Sequence, residues 1–277
     1  MAQVTKKAVP KREGLGLEVT FFFLALFCFS VGWVRSAVRS GTYELNPRQA
    51  GTIRIVTWNV GTGLENPGLP EEHLQHVADV LKEIDADLVF LQEVLSKDLG
   101  NRLVERLGEE WSSEGFAGAL SLAQRGRLRS FHIEDGFRLR SIGIRYRSEE
   151  GERIAAVGIH APAFSAEKRN LAIGKATEAL LERRESKKIL AGDLNLEVAQ
   201  GKRGDLLSNN DPLDVETYNF VAERLRDLGL NGGPTAEPDR RLDYIFCSEE
   251  WNVIAAGVLK GRRAPGMDHD PFVADLR

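Results

Sequence analysis

The sequence is short of cysteine and of net charge. Its 277 residues include only two cysteines, Cys28 and Cys247, which excludes a disulfide framework and a multi-cysteine zinc site. The formal net charge is −4, which excludes a polycationic protein that coats DNA. Internal repeats and low-complexity tracts are also missing. With 42% hydrophobic and 28% charged residues, the chain is expected to fold around a core.

The small net charge conceals two parts of opposite sign. Residues 1–50 carry seven Lys or Arg against three Asp or Glu, a charge of +4. Residues 51–277 carry the other 30 basic and 38 acidic residues, a charge of −8. The charge is therefore segregated along the chain.

One long hydrophobic run stands in the basic part. Val19–Val34 has sixteen residues without a charge, between flanks that contain Lys11, Arg12 and Arg35. As a helix this run would cover about 24 Å at ~1.5 Å per residue, which is shorter than a hydrocarbon core of ~30 Å. Flanking residues must therefore extend the helix if it is to cross the membrane. We predict a cytoplasmic basic tail over residues 1–16, a transmembrane anchor over residues 17–36, and a single-pass membrane protein whose remaining domain is extracytoplasmic.

A cleaved signal peptide and a buried core helix are the two alternatives to an anchor. A cleaved signal peptide would give a secreted protein, but Ser30-Val31-Gly32 lies inside the apolar run and Arg35-Ser36-Ala37 places arginine where a small residue is needed. A buried core helix is disfavoured because the run has basic flanks and no polar face. Residues 37–50, with their glycine, asparagine and proline, are predicted as a linker to a domain over residues 51–277.

From Gly51 onward, runs of strand length alternate with helical patterns. Strands are predicted over Ile53–Val60, Asp87–Val94, Glu152–His160, Lys187–Asn195 and Arg241–Ser248. Helices are predicted over Glu71–Ile84, Lys97–Leu107, Ala166–Arg184 and Val215–Leu228. Antiparallel strands are predicted over Phe116–Arg147, with a hairpin turn at Glu134-Asp135-Gly136. We expect a single α/β domain of mixed sheets with helices on their outer faces.

Polar residues recur at the ends of these apolar strands. The strand ends carry Asn59, Glu93, His160, Asp193, Asn195 and Asp243, and Asp268-His269 precedes the last strand. Each alone is more typical of a turn or a structural ion pair. Together they predict a functional site. Burying a polar group in a strand that is covered on both faces costs free energy, so turns and ion pairs alone are a poor explanation for the whole set.

The chemistry of this set favours a phosphoester. The carboxylates are hard oxygen ligands suited to Mg²⁺ or Mn²⁺, whereas thiolates are missing and histidines are too few for a zinc cluster. The asparagines can orient phosphate oxygens, and the histidines titrate near neutral pH, where acid or base catalysis is effective.

Six short motifs resemble those of the endonuclease/exonuclease/phosphatase superfamily. They are TWNV at Asn59, LQEV at Glu93, GIHAP at His160, GDLN at Asp193 and Asn195, RLDYIF at Asp243, and DHDP at Asp268 and His269. They stand in the family's order and span residues 51–277. The resemblance implies a four-layered α/β sandwich, in which two packed mixed β-sheets are flanked by helices.

The resemblance also implies a role for each residue. Glu93 would hold a divalent metal directly and Asn59 through phosphate or water, with Asp268 helping to organise metal or water. Asp193 would orient or deprotonate the attacking water. Asn195 would bind the charge that develops on phosphorus. His160 would donate to a phosphate oxygen, and His269, aligned by Asp243, would serve as acid, base or transition-state stabiliser.

One departure from the family pattern bears on the substrate. The abasic-site endonucleases of this superfamily carry an acidic residue two positions after the asparagine of the first motif. Here that asparagine is Asn59, and the position two residues later is Gly61. The interval between Glu93 and His160 is compact as well, which predicts short loops for gripping nucleic acid.

We therefore expect a membrane-anchored, Mg²⁺-dependent phosphoester hydrolase that acts on a lipid-linked or small phosphoester. A nuclease is the first alternative, because seven arginines between Arg125 and Arg147 could line a groove for nucleic acid. The acidic charge of residues 51–277, however, gives nucleic acid little general attraction. A catalytically inactive binding module is the second, and it is disfavoured because the catalytic residues implied by the resemblance are all present.

Overall fold

The computed structural model describes residues 42–63, 68–116, 119–134, 140–198, 212–229 and 233–277. The predicted tail and anchor, residues 1–36, lie outside the described residues, as do Asp135 and Gly136 of the predicted hairpin turn. Across the described ranges, no helix is long and apolar enough to cross a membrane. The anchor over residues 17–36 stays a prediction.

The described ranges contain twelve strands and four α-helices. The strands are β1 Ile53–Asn59, β2 Leu88–Gln92, β3 Trp111–Phe116, β4 Ala119–Gln124, β5 Gly126–Phe131, β6 Ser141–Ser148, β7 Arg153–His160, β8 Lys187–Asp193, β9 Arg226–Asp227, β10 Asp243–Cys247, β11 Val253–Val258 and β12 Phe272–Leu276. The helices are α1 Leu74–Ile84, α2 Lys97–Leu107, α3 Ala166–Leu181 and α4 Pro212–Ala222.

The five predicted long strands are all present, and one predicted helix is shifted. The periodicity predicted a helix over Val215–Leu228, but α4 ends at Ala222. Arg226 and Asp227 instead form β9, which pairs with Cys247 and Phe246 of β10. Pairing to a buried strand outweighs helical periodicity at this point.

The strands form two mixed sheets with the same internal plan. Sheet 1 has the order β11-β12-β1-β2-β4-β3, and sheet 2 has the order β5-β6-β7-β8-β10-β9. Each sheet contains one parallel pair near its centre, β1 with β2 and β7 with β8, and antiparallel neighbours on both sides. Because parallel strands point the same way, their carboxyl ends lie side by side at one end of each sheet.

Three apolar clusters hold four layers together. The middle cluster joins the two sheets and includes Ile55, Phe90, Ile144 and Ile245. One outer cluster packs α1 and α2 on sheet 1, and the other packs α3 on sheet 2. This confirms the predicted α/β sandwich of two mixed sheets with helices on both outer faces.

The helices follow from local sequence signals. In α1 the buried residues Leu74, Val77, Leu81 and Ile84 recur three and four apart and face sheet 1. Helix α2 begins at a serine cap, because the hydroxyl of Ser96 accepts a hydrogen bond from a backbone N–H of the first turn. The helix α3 begins in the same way at its own serine.

The folded body begins before residue 51. Tyr43 is 5% exposed and belongs to the outer cluster of sheet 1. Its backbone N–H donates to the carbonyl of Val258 at 2.8 Å, and its hydroxyl donates to Asp275 at 2.8 Å. Residues 42–50, predicted as part of the linker, thus pack against the body, and Ser40–Arg277 is one compact unit with its own core.

We expect Tyr43→Ala to lower the free energy of unfolding of residues 40–277 by about 3 to 5 kcal/mol, because it removes a buried aromatic ring. Tyr43→Phe keeps the ring and loses the hydroxyl, so about 1 kcal/mol is expected. Urea unfolding followed by circular dichroism measures both. Equal urea midpoints for Tyr43→Ala and the unaltered chain would show that this segment does not belong to the folded body.

Candidate active site

The predicted site residues converge where the two parallel strand pairs end. Asn59 is the last residue of β1, and Glu93 directly follows β2. His160 ends β7 and Asp193 ends β8, where the two residues are partners in the parallel register. Asp243 begins the antiparallel strand β10 and lies opposite Asp193. Polar groups from both sheets therefore share one end of the sandwich.

Asn59 connects the two sheets. Its side-chain nitrogen donates to Glu93 at 3.1 Å and to Asp193 at 3.0 Å. Its side-chain oxygen accepts from the backbone N–H of Gly61 at 3.0 Å. The amide is thereby fixed in one orientation, with its donors toward two carboxylates.

Glu93 is held in place by backbone geometry. Its φ of 65° lies in the left-handed region, which is unusual for a residue other than glycine. Its Oε2 accepts from the backbone N–H of Gly68 at 3.1 Å. A Cβ atom at Gly61 would lie 1.6 Å from that same Oε2. The glycine noted as a departure from the abasic-site pattern is thus the residue that leaves room for the Glu93 carboxylate.

A buried ion pair lies on the other side of the site. Nδ1 of His269 donates to Oδ2 of Asp243 at 2.7 Å, and both side chains are buried. Burial alone would lower the pKa of His269, but the carboxylates of Asp243, Asp193 and Asp268 outweigh it and raise the pKa to about 10. His269 is therefore an imidazolium at neutral pH, and Nε2 carries its second N–H.

The other histidine has the opposite character. Burial lowers the pKa of His160, and the attraction of Asp193 only partly opposes it, so the ring is neutral at neutral pH. Its Nε2 lies 3.6 Å from Oδ2 of Asp193 and 3.9 Å from Oε1 of Glu93. The site thus contains one charged and one neutral imidazole.

Asp193 lies between the two histidines. Its Oδ2 is 3.6 Å from Nε2 of His160 and 4.0 Å from Nε2 of His269. Burial raises the pKa of Asp193, while the charge of His269 and the hydrogen bond from Asn59 oppose that rise. A carboxylate with a raised pKa is a better proton acceptor than an exposed one.

The two remaining predicted residues border this centre. Asn195 has a φ of 51°, and its side-chain nitrogen donates to the carbonyl of Ala161 at 3.0 Å. Asp268 is the most open of the acidic residues, with a side chain 40% exposed and Oδ1 4.0 Å from Nε2 of His269. Both therefore lie beside the centre, and Asp268 is open to solvent.

Two residues that hold the backbone of the site were not predicted from the sequence. Thr235 is 1% exposed, and its hydroxyl accepts from the backbone N–H groups of Leu242 and Asp243, both at 3.0 Å. The indole N–H of Trp58 donates to the backbone carbonyl of His269 at 3.0 Å. Thr235 stands in a Gly- and Pro-rich stretch that resembles any loop, and Trp58 is indistinguishable from a core residue of β1.

The charges of the site fit a divalent cation. Three carboxylates, those of Asp193, Asp243 and Asp268, lie within 4.0 Å of the His269 imidazolium, and the carboxylate of Glu93 lies 3.9 Å from His160. In the described ranges, no Lys or Arg lies within salt-bridge distance of these four carboxylates. Those ranges contain no group of three or more acidic, His or Cys side chains arranged to hold a metal. Mg²⁺ suits such a site, because it keeps several waters and binds through one or two carboxylates together with phosphate oxygens.

The fold and this set of groups define a phosphoester hydrolase. The chain belongs to the endonuclease/exonuclease/phosphatase family, whose model matches residues 56–264. The hydrolases of that family act on phosphoester bonds. No curated protein matches the chain significantly.

Solved structures share the fold at low sequence identity. An endonuclease/exonuclease/phosphatase from Bacteroides vulgatus is 18% identical with a TM-score of 0.61, over 82% of this chain and 98% of that one. The human Nocturnin catalytic domain is 18% identical with a TM-score of 0.61, over 83% and 96%. A mannosyl-6-phosphatase from Bacteroides thetaiotaomicron is 15% identical with a TM-score of 0.61, over 81% and 99%.

We expect Gly61→Ala to reduce Mg²⁺-dependent hydrolysis of bis(4-nitrophenyl) phosphate by about 10- to 100-fold, because its methyl group displaces the Glu93 carboxylate. Rates measured over a range of Mg²⁺ concentrations would reveal the loss. Gly174→Ala is the matched control, since a Cβ there meets nothing within 4 Å. Equal rates for Gly61→Ala and the unaltered chain would mean that hydrolysis does not require the Glu93 carboxylate to be held in this position.

Proposed function

We propose that the protein is an Mg²⁺- or Mn²⁺-dependent phosphoester hydrolase, anchored to a membrane through residues 17–36, that acts on a lipid-linked or small phosphoester. One observation carries the proposal. The His269 imidazolium, paired with Asp243, faces the Asp193 carboxylate at 4.0 Å, beside the Asn59–Glu93 pair. A donor and an acceptor of protons thus converge on one small space.

Glu93 is the residue that would hold the metal. Its carboxylate is 17% exposed, and it receives hydrogen bonds from the neutral donors Asn59 and Gly68. Asn59 supports it by fixing Oε1. When bound, a divalent cation neutralises charge on the phosphoryl oxygens and polarises the phosphorus for attack.

Proton transfer would fall to Asp193 and His269. Asp193 accepts hydrogen bonds from the side chain of Asn59 and the backbone N–H of Asn195, which fixes its orientation toward an attacking water. His269 is already protonated, so its Nε2–H donates to a phosphate oxygen and stabilises charge in the transition state. The neutral ring of His160 donates a second hydrogen bond to the phosphate.

Several features support a lipid-linked or small substrate. The body carries a charge of −8, which disfavours long polyanions. Arg125 from the arginine-rich stretch is neutralised by Asp85 and Asp87. One structural neighbour is by name a phosphatase of a phosphorylated sugar. The predicted anchor would bring the catalytic domain to a membrane.

The test is hydrolysis by residues 40–277 of plasmid DNA, single-stranded DNA, phospholipid and a polyprenyl pyrophosphate, with Mg²⁺ and with EDTA. We expect phosphate or headgroup release from a lipid substrate only with Mg²⁺. His269→Ala should lower that rate by about 10²- to 10⁴-fold, since it removes a charged donor from the transition state. His132→Ala, at an exposed histidine, is the control and should leave the rate unchanged.

Two results would contradict the proposal. Cleavage of DNA at catalytic rates without release from any lipid would identify a nuclease. Equal rates for His269→Ala and the unaltered chain on every substrate would remove the assigned chemistry altogether.

A further inference from the structure

Five arginines lie together on the outer face of sheet 2, far from the catalytic centre. They are called the arginine face and comprise Arg127, Arg129, Arg145, Arg147 and Arg153. All five are exposed. Arg153 begins β7, Arg145 lies opposite Ala155, and His160 ends the strand, so about 17 to 23 Å of strand separates this face from the catalytic end.

The strand register brings the arginines side by side. Arg127 lies opposite Arg147, and Arg129 lies opposite Arg145. Arg147 also lies opposite Arg153. Directly opposed residues point to the same side of a sheet, and the alternate residues of β6 face the middle core. The five arginines therefore project from a two-dimensional array of backbone positions, with strands ~5 Å apart and neighbours ~7 Å apart along β5 and β6.

Acidic residues border part of this face, since Arg145 and Arg153 line one cavity together with Glu150, Glu152, Glu182 and Glu185. Arg145 pairs with Glu185 at 3.3 Å. The other four make no salt bridge to any carboxylate in the described part of the chain, although glutamates such as Glu152 stand nearby and bind Lys187 instead. Arg125, just before β5, shows the alternative, because it binds two aspartates.

Protection of a sheet edge does not explain the array. Charged side chains on an edge strand prevent unwanted pairing, and β5 is such a strand. Strands β6 and β7 are interior, however, yet they carry Arg145, Arg147 and Arg153. Like charges directly opposite each other destabilise a sheet, so this part of the array carries a free-energy cost without serving the edge.

We propose that the arginine face docks on the surface of an anionic phospholipid membrane. Guanidinium groups bind phosphate through two parallel hydrogen bonds, and a bilayer presents phosphates in two dimensions, as the array does. The attraction acts within about a Debye length of ~10 Å, so acidic residues far from the face do not cancel it, whereas the glutamates that line the cavity beside Arg145 and Arg153 reduce it. The surface is independent of the catalytic chemistry.

Nucleic acid fits the same face less well. Proteins that bind single strands combine basic residues with aromatic rings on which bases stack. Phe131 lies beside the array, and its ring is already covered by the guanidinium of Arg183 at 4.9 Å. Among the described residues, the face thus offers phosphate contacts without a stacking platform.

The test uses residues 40–277 in sedimentation with phosphatidylcholine vesicles that contain 30% phosphatidylglycerol or none. We expect binding only to the anionic vesicles, and its loss in 0.5 M salt. Arg127→Gln/Arg147→Gln should weaken binding by roughly 25-fold, at about fivefold per arginine. Lys97→Gln/Lys168→Gln removes the same charge from exposed positions outside the face and should change binding less than twofold. The melting temperature of the arginine variant should not fall, because like-charge repulsion is removed.

Three outcomes would overturn the proposal. One is that the unaltered protein fails to sediment with anionic vesicles. A second is that the arginine variant keeps its vesicle binding and aggregates, which would assign the arginines to edge protection. The third is that the variant loses affinity for a fluorescent single-stranded or duplex DNA while its vesicle binding is unchanged, which would assign the face to nucleic acid.

Discussion

The candidate active site depends on the buried ion pair between Asp243 and His269. Two charges that leave water must compensate each other, and removal of either partner from such a pair costs about 3 to 5 kcal/mol. The surrounding structure serves this requirement. Thr235 fixes the backbone that carries Asp243, and Trp58, from the other sheet, fixes the backbone of His269. The charge of the imidazolium in turn balances part of the carboxylate charge that the site concentrates.

The two-sheet architecture explains why the groups meet. Each sheet has one parallel pair, and the carboxyl ends of both pairs lie at the same end of the sandwich. Asn59 then joins the sheets by donating to Glu93 on one side and Asp193 on the other. The opposite end of sheet 2 carries the arginine face. Chemistry and the proposed membrane contact are therefore separated along the strands, so a substrate linked to the same bilayer must extend about 17 to 23 Å to reach the site.

Much of the fold and of the candidate site could be predicted from the sequence, because buried strands that end in polar residues are a strong local signal. Asn59, Asp193 and Asp243 were predicted in this way, and the structure brings them together. Features set by distant contacts could not be predicted. The short strand β9, the packing of Tyr43 and the role of Gly61 each depend on a partner remote in sequence. The array of arginines needed the strand register.

The most direct test of this account is an NMR titration of the histidine rings of residues 40–277, with His269 assigned by loss of its signal in His269→Gln. In the unaltered protein the pKa of His269 is raised above the value of ~6.5 expected in the unfolded chain. The charged ring therefore contributes its full stabilisation of the fold below pH ~6.5, and this stabilisation is lost as the pH rises through about 10. The account predicts that His269 stays protonated to pH 9 and titrates near 10. In Asp243→Asn the pKa of His269 should fall, because the carboxylate that raises it most is removed. A pKa of His269 at or below ~6.5 in the unaltered protein would contradict the account, since no imidazolium would then face the phosphate.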